Sequence, residues 1–412
     1  MSDVLTGAPS IGSGRRQTRL LPMLGPAFVT AVAYVDPGNF ATNVTAGSTY
    51  GYLLVWVVLA SNAIAMLVQY LSAKAGIATG RSLAALCRDR CPRPVAGALW
   101  VQAEIVAVAT DLAEVVGGAI ALRILFGLPL LAGGLVTGGV AFALLALCRR
   151  GHRPFEVAIG GALAVILVGF AVDAVLAGVR PPAVLAGAVP RLAGTDSVLL
   201  AVGMLGATVM PHAIYLHGGL TSARSRAGAD PRTLLRAQRV DVVAAMTVAG
   251  LMNLLLLVVA AAALSGRGID TIEGAYAGLG STLGSVAAAL FAVALLASGL
   301  ASSSVGTLSG QLVMEGFLRR RIPDVVRRSA TLAPALLVLA VGVDPTRALL
   351  VSQVVLSFGI PFAIVPLVWL TARRDVMGAL VNHRLTTVAG AVCAAAVIGL
   401  NGMLIAAVVG PV

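Results

Sequence analysis

From position 22 to the C-terminus, apolar residues fill runs of about 20 residues separated by short arginine-bearing segments, with neither strand alternation nor a single amphipathic stripe. A run of that length crosses the hydrocarbon layer as a helix. Eleven spans are predicted, near 22–47, 51–76, 94–122, 129–148, 155–178, 196–220, 239–264, 280–317, 329–343, 348–371 and 386–409, so the expected class is an all-α membrane protein. The first run is too long, and too polar at its centre, for a cleavable signal peptide, and nothing before it has the composition of a targeting presequence. Residues 1–21, rich in Gly, Ser and Arg, read as a disordered cytoplasmic tail, and 22–412 as one transmembrane domain without a soluble module.

Composition agrees. Of 412 residues, 58% are hydrophobic and 11% charged, against about a quarter charged in soluble proteins. The formal charge of +12 raises the question of a nucleic-acid partner. Twenty-four of the 29 basic residues, however, fall on one side of the predicted spans: Arg15, Arg16 and Arg19, Lys74 to Arg93, Arg149, Arg150 and Arg153, Arg224 to Arg239, Arg319 to Arg328, and Arg373, Arg374 and Arg384. Charge that tracks topology follows the positive-inside rule, which puts the N-terminus in the cytoplasm and, with an odd number of spans, the C-terminus outside. It does not form the patch that nucleic acid requires. The four cysteines, Cys87, Cys91, Cys148 and Cys393, make no disulfide framework, because three lie at the cytoplasmic loops and one inside the last span. The Cys87/Cys91 spacing would turn both thiols to one face of a helix, where they could bind a soft metal. With no second ligand pair nearby, reduced bystander thiols are the favoured reading.

Two spans are interrupted. The first contains Ala33-Tyr34-Val35-Asp36-Pro37-Gly38-Asn39 and the sixth Ala207-Thr208-Val209-Met210-Pro211-His212. Broken helices at matching positions of two halves point to a transporter site, and five spans per half would invert the second half relative to the first. The repeats would cover about 22–178 and about 196–371, with an extra helix at about 386–409. Proline has no N–H for the carbonyl four residues earlier, so Pro37 frees the Ala33 carbonyl and Pro211 that of Ala207. The residue before a proline leaves the helical region, which is expected to end the half-helices near Asp36 and Met210. Freed carbonyls and an intramembrane carboxylate favour a cation. Asn39 adds an oxygen three residues on, and Met210 a thioether from the other half. Oxygen alone suits Mg or Ca; sulfur shifts the preference toward Mn, Fe, Co or Cd.

On these motifs, Asp36-Pro37-Gly38-Asn39 and Met210-Pro211-His212, the chain resembles the Nramp (natural resistance-associated macrophage protein) divalent metal transporters, in their bacterial MntH-like branch. The resemblance implies a LeuT-like inverted repeat in the bacterial cytoplasmic membrane that imports Mn(II) and Fe(II) with protons. It carries metal binding to Asp36, Asn39, Met210 and the carbonyls of Ala33 and Ala207, and makes Gln353 of the tenth span a ligand in some conformations only.

The third span holds Glu104, Asp111 and Glu114 at offsets that keep them on one stripe, the material of a proton relay or of an ion-pair network. Arg327 and Arg328, opening the ninth span, are the expected partners, and the resemblance supports a salt-bridge route from Asp36 through these groups. It also puts His212 near Asp36, for which proton handling is favoured over direct ligation. His217 reads equally as a packing or a pathway residue, and Asn253 as interhelical glue. No Walker loop or soluble domain would supply energy from nucleotide, and no cofactor is implied. The expected function is proton-coupled import of divalent metal by alternating access. Its rivals are a sodium-coupled organic-solute symporter of the same fold and a membrane metalloenzyme built on His212, Asp111 and Glu114. The only partners implied are the metal cation, protons and lipid, with the oligomeric state left open and a monomer among the possibilities.

Overall fold

The computed structural model describes residues 25–409 except 151, 229 and 321, with side chains left undescribed at 144–156 and 324. The expected tail at 1–21, the start of the first span and Arg15, Arg16, Arg19 and Arg321 lie outside the described residues, as do the side chains of Cys148, Arg149, Arg150 and Arg153.

Among the described residues every regular element is a helix. In chain order these are α1 (Pro26–Ala31) with a 3-10 turn (Val32–Val35), α2 (Pro37–Tyr50), α3 (Val55–Thr79), α4 (Leu83–Arg90), α5 (Arg93–Phe126), α6 (Leu130–Arg150), α7 (His152–Leu176), α8 (Pro181–Gly187) and α9 (Gly194–Thr208). There follow α10 (Pro211–Arg226), α11 (Pro231–Ala263), α12 (Ile272–Leu283), α13 (Ser285–Leu318), α14 (Asp324–Val341), α15 (Pro345–Thr371), α16 (Arg374–Met377) with a 3-10 turn (Gly378–Leu380), and α17 (Arg384–Val409).

Each predicted span falls on one of these helices or on a broken pair. By length and apolarity eight stretches among the described residues can cross a membrane, with the pair α9–α10 counted as one, and Pro26–Val35 and Leu130–Ala143 are apolar but shorter. Of the three predicted spans outside these eight, the first is split at Asp36, the ninth, α14, turns Arg327 and Arg328 into the protein interior, and the fourth, α6, has described side chains only to 143. The eighth span was expected from 280, but Gly284, at φ 98°, separates α12 from α13, which begins at Ser285. That backbone region favours glycine.

Prolines open α1, α2, α10, α11 and α15, where the missing N–H is not needed for helix bonding. Asp241 of α11 reaches across to the start of α1, accepting from the Gly25 and Ala27 amides at 3.1 and 2.9 Å. A helix N-terminus buried in the fold thus receives a carboxylate in place of water. Further along, Phe40, Phe170 and Phe291 pack with ring centroids 5.3–6.3 Å apart and join α2, α7 and α13.

Close helix approach depends on small residues, since lipid supplies no hydrophobic drive between helices. At Gly47, α2 lies so near α11 that a Cβ would stand 2.8 Å from the Ala260 Cβ and 2.9 Å from the Ala261 amide nitrogen. Gly47→Val should therefore lower stability by about 1–3 kcal/mol. A thermal melt of the detergent-purified variant that matched the wild type would contradict this packing.

Candidate metal centre at the two helix breaks

Both proline effects appear twice. The regular part of α1 stops at Ala31, earlier than the expected end near Asp36, and the chain narrows to a 3-10 turn before Asp36 becomes extended at φ −85°, ψ 172°. In the other half α9 ends at Thr208, and Met210 is extended at φ −71°, ψ 121°. The 3-10 turn packs against α9, and α15 packs against both α2 and α9. Gln353 of α15 is the bridge: its side chain lies against Gly38 and its backbone against Gly206. Ala33, Asp36, Asn39, Ala207, Met210 and Gln353 are all at most 1% exposed.

Asp36 and Asn39 form a capping box. Asp36 Oδ1 accepts from the Asn39 amide at 2.8 Å, and Asn39 Oδ1 accepts from the Asp36 amide at 3.2 Å. One oxygen of each side chain is thereby fixed by α2 itself. Asp36 Oδ2 and Gln353 Oε1 are buried without a hydrogen-bond partner. Leaving such an acceptor unsatisfied costs about 1–3 kcal/mol, and more when it is charged. The Asp-x-x-Asn spacing was a legible capping-box signal, which the reading of Asn39 as a second metal oxygen passed over.

The carbonyls beside the first break are held by side chains from elsewhere. Asn253 of α11 donates to the Tyr34 carbonyl at 2.7 Å while accepting from Asn43 at 2.9 Å, and Ser298 of α13 donates to the Val35 carbonyl at 2.6 Å. Asn253, expected as glue between helices, acts as glue at the break. Nothing singled out Ser298, since a serine in an apolar span is ordinary. Among the described residues no side chain donates to the Ala33 or Ala207 carbonyl. Nor do three or more His, Cys, Asp or Glu side chains gather to hold a metal. The residues at the two breaks thus include one carboxylate, that of Asp36, and the Met210 thioether, both buried.

The acid stripe of α5 meets the expected arginines of α14. Arg327 pairs with Glu104 at 3.1 Å, and Arg328 bonds Asp111 and the Ser303 hydroxyl and stands 3.9 Å from Glu114. Glu114 lies within electrostatic range of Asp111 and Asp36, and both its oxygens lack hydrogen-bond partners. The Glu104 end of the row is more open, its side chain 26% exposed. His212 turns toward α5: Nδ1 meets the Thr110 hydroxyl at 3.2 Å, Nε2 has no partner, and its carbonyl accepts from Ser309 at 2.6 Å. His217 uses both ring nitrogens, with Gln69 at 2.6 Å and Gln238 at 2.9 Å, and Gln69 in turn bonds the Tyr34 hydroxyl. That histidine joins α10 to α3 and α11.

Comparison with known proteins places this geometry. The family model described as Natural resistance-associated macrophage protein-like matches residues 27–407. The Divalent metal cation transporter MntH of Deinococcus radiodurans is 51% identical over 410 residues, covering 98% of this chain and 94% of its own. The crystal structure of the Eremococcus coleocola manganese transporter aligns at TM-score 0.87 with 31% identity, covering 100% of this chain and 92% of the other. Mhp1, a nucleobase-cation-symport-1 family transporter, aligns at TM-score 0.65 with 15% identity over 97% of this chain and 95% of its own, a likeness of fold alone. The LeuT-like class expected from the sequence is the class observed.

Removing one partner of a buried ion pair strands the other, at about 3–5 kcal/mol. Arg328→Ala should accordingly destabilise the protein by that amount, and adding Asp111→Asn should recover part of the loss. Melting temperatures across the double-mutant cycle check the pairing; additive losses would refute it.

Proposed function

The chain belongs to the Natural resistance-associated macrophage protein (Nramp) family, and we propose that it imports divalent transition-metal cations, Mn2+ and Fe2+ foremost and Co2+ and Cd2+ with them, by proton-coupled alternating access. It is a multi-pass membrane transporter of divalent metal rather than an enzyme, as its family and relatives are.

The observation that carries the reading is the buried, unpartnered Oδ2 of Asp36, held by a capping box at the break that frees the Ala33 carbonyl. A divalent cation supplies the charge that this oxygen needs. Neutral oxygens from Asn39 and the Ala33 and Ala207 carbonyls, with sulfur from Met210, suit a borderline transition metal better than Mg or Ca. Gln353, its Oε1 free and its side chain against Gly38, supports the role of a ligand in part of the cycle. An organic solute would need the space that Gln353 fills and would leave Met210 without a purpose.

For protons, Asp36, Glu114, Asp111 and Glu104 form a row that runs toward the arginine-rich end of α5, with Arg328 and Arg327 spaced along it. Alternating charges let a proton step between carboxylates without stranding a bare charge in hydrocarbon. His212, facing Thr110 beside Asp111, supports proton handling over metal ligation. The basic-residue pattern supports a cytoplasmic N-terminus in a bacterial inner membrane.

The test is Mn2+ uptake into proteoliposomes that contain a pH dye. Metal entry should acidify the lumen and accelerate under an inward proton gradient; uptake without acidification would overturn the coupling. Asp36→Ala should abolish uptake, and wild-type rates in that variant would remove the site. Met210→Ala should lose discrimination against Ca2+ more than Mn2+ transport, so unchanged selectivity would take sulfur out of the ligand set. Glu114→Gln should cut proton entry while metal binding, read by calorimetry, is kept; lost binding with normal proton flux would refute the relay.

A further inference from the structure

The face that α11 turns away from the protein changes character within one turn. Arg232, Arg236 and Arg239 are exposed near its start, and Val240, Val243 and Leu251 beyond them, the two valines more than half exposed. Basic side chains giving way to bare apolar ones mark the boundary between lipid headgroups and acyl chains. Tyr70 of α3, the helix packed beside α11, stands at that height. Its hydroxyl accepts from Arg239 Nη2 at 3.1 Å, and the guanidinium lies 5.4 Å from its ring centroid. Lys74, one turn further along α3, brings a second cation to 5.9 Å from the same centroid. Ile77, Leu234 and Leu235, with Tyr70 and Leu380 against them, form an apolar cluster that joins α3, α11 and the 3-10 turn at Gly378–Leu380 here.

Lys74 is only 6% exposed, and its partners are neutral. Nζ donates to Asn382 Oδ1 at 2.8 Å and to the Val381 carbonyl at 3.5 Å. Asn382 is held in that orientation by its own Nδ2, which donates to Thr371 Oγ1 at 2.9 Å. Among the described residues neither Lys74 nor Arg239 pairs with a carboxylate, whereas Asp89 and Asp375 take up Arg81, Arg88, Arg90 and Arg373 elsewhere on the arginine-rich face. A buried cation beside a second one, with no counter-charge, is unfavourable in apolar surroundings. We propose that Lys74, Arg239 and the Tyr70 hydroxyl form a site on the arginine-rich rim for the phosphodiester headgroup of an anionic phospholipid of the phosphatidylglycerol class.

The donors left over match a phosphate. An ammonium has three N–H donors, of which the contacts to Asn382 and Val381 use two. The Arg239 guanidinium has five, and the Tyr70 oxygen, accepting from it, keeps its own hydrogen to donate. Charge-assisted bonds of this kind suit phosphate oxygens, and basic pockets between transmembrane helices at this depth suit anionic headgroups. The acyl chains would lie along Val240, Val243 and Leu251. That apolar face decides between a lipid and a soluble phosphate, since a free anion would gain the charge contacts and leave the face bare. A zwitterionic lipid brings no net charge to offset two cations.

Full-length protein, delipidated in detergent, would be titrated separately with dioleoyl phosphatidylglycerol, dioleoyl phosphatidylcholine and inorganic phosphate. Native mass spectrometry counts the bound lipid, and thermal melts follow stability. The wild type should hold phosphatidylglycerol in preference to phosphatidylcholine and melt higher in its presence, while inorganic phosphate should give no such rise. Arg239→Gln, at an exposed position, and Lys74→Met should each weaken phosphatidylglycerol binding about fivefold, and the double variant about 25-fold, as expected for two charges at a lipid surface. Arg232→Gln, two turns away on the same face, should bind as the wild type does. Melts without lipid show that the variants fold, and should Lys74→Met not fold, Arg239→Gln decides alone. Equal retention of phosphatidylcholine or undiminished affinity in Arg239→Gln would overturn the site. So would a loss in Arg232→Gln as large as in Arg239→Gln, which would mean diffuse attraction to the basic face, or equal stabilisation by inorganic phosphate, which would mean a soluble anion.

Discussion

A backbone carbonyl that loses its helix hydrogen bond inside hydrocarbon has no water to turn to, and leaving it bare costs several kcal/mol. Pro37 and Pro211 create that condition once in each half of the chain, and the surrounding architecture answers it. Asn253 and Ser298 satisfy the Tyr34 and Val35 carbonyls from α11 and α13, two long helices that otherwise read as apolar. Among the described residues no side chain donates to the carbonyls of Ala33 and Ala207. The fold thus satisfies the carbonyls beside the first break and leaves open the two that the prolines free.

The Asp36 carboxylate is divided in the same way. One oxygen caps α2 and fixes the side chain, and the other stays open. A helix terminus positions this carboxylate rigidly, because the capping amide binds one of its oxygens. Its neighbour Asn39 is fixed by the reciprocal bond, which leaves a second lone pair on its amide oxygen.

Beyond the breaks, the acids of the α5 stripe are unequally matched with cations. Glu104 meets Arg327 and Asp111 meets Arg328, while Glu114, between Asp111 and Asp36, has Arg328 only at 3.9 Å. A fully compensated row would be a static network. The gap at Glu114 is at the Asp36 end of the row, where a change in the charge of Asp36 acts most directly on the next carboxylate.

Much of this was legible in the chain itself. Runs of about 20 apolar residues dictate helices across a bilayer because every backbone group must be satisfied within its own segment. The two prolines fix which carbonyls are freed, and the acids of α5 share a stripe by helical periodicity alone. Local rules suffice for such features, since each depends on residues within a few positions. The donors that repair the first break, the bond from Asp241 to the start of α1 and the wedge of Gln353 between Gly38 and Gly206 join residues far apart in sequence. A serine, an asparagine or a glutamine in an apolar helix carries no mark of its partner, because that partner is set by which helices touch and at what height. Sequence determined where the backbone breaks and what charge lies there; tertiary packing decided which of the exposed polar atoms are satisfied and which remain open.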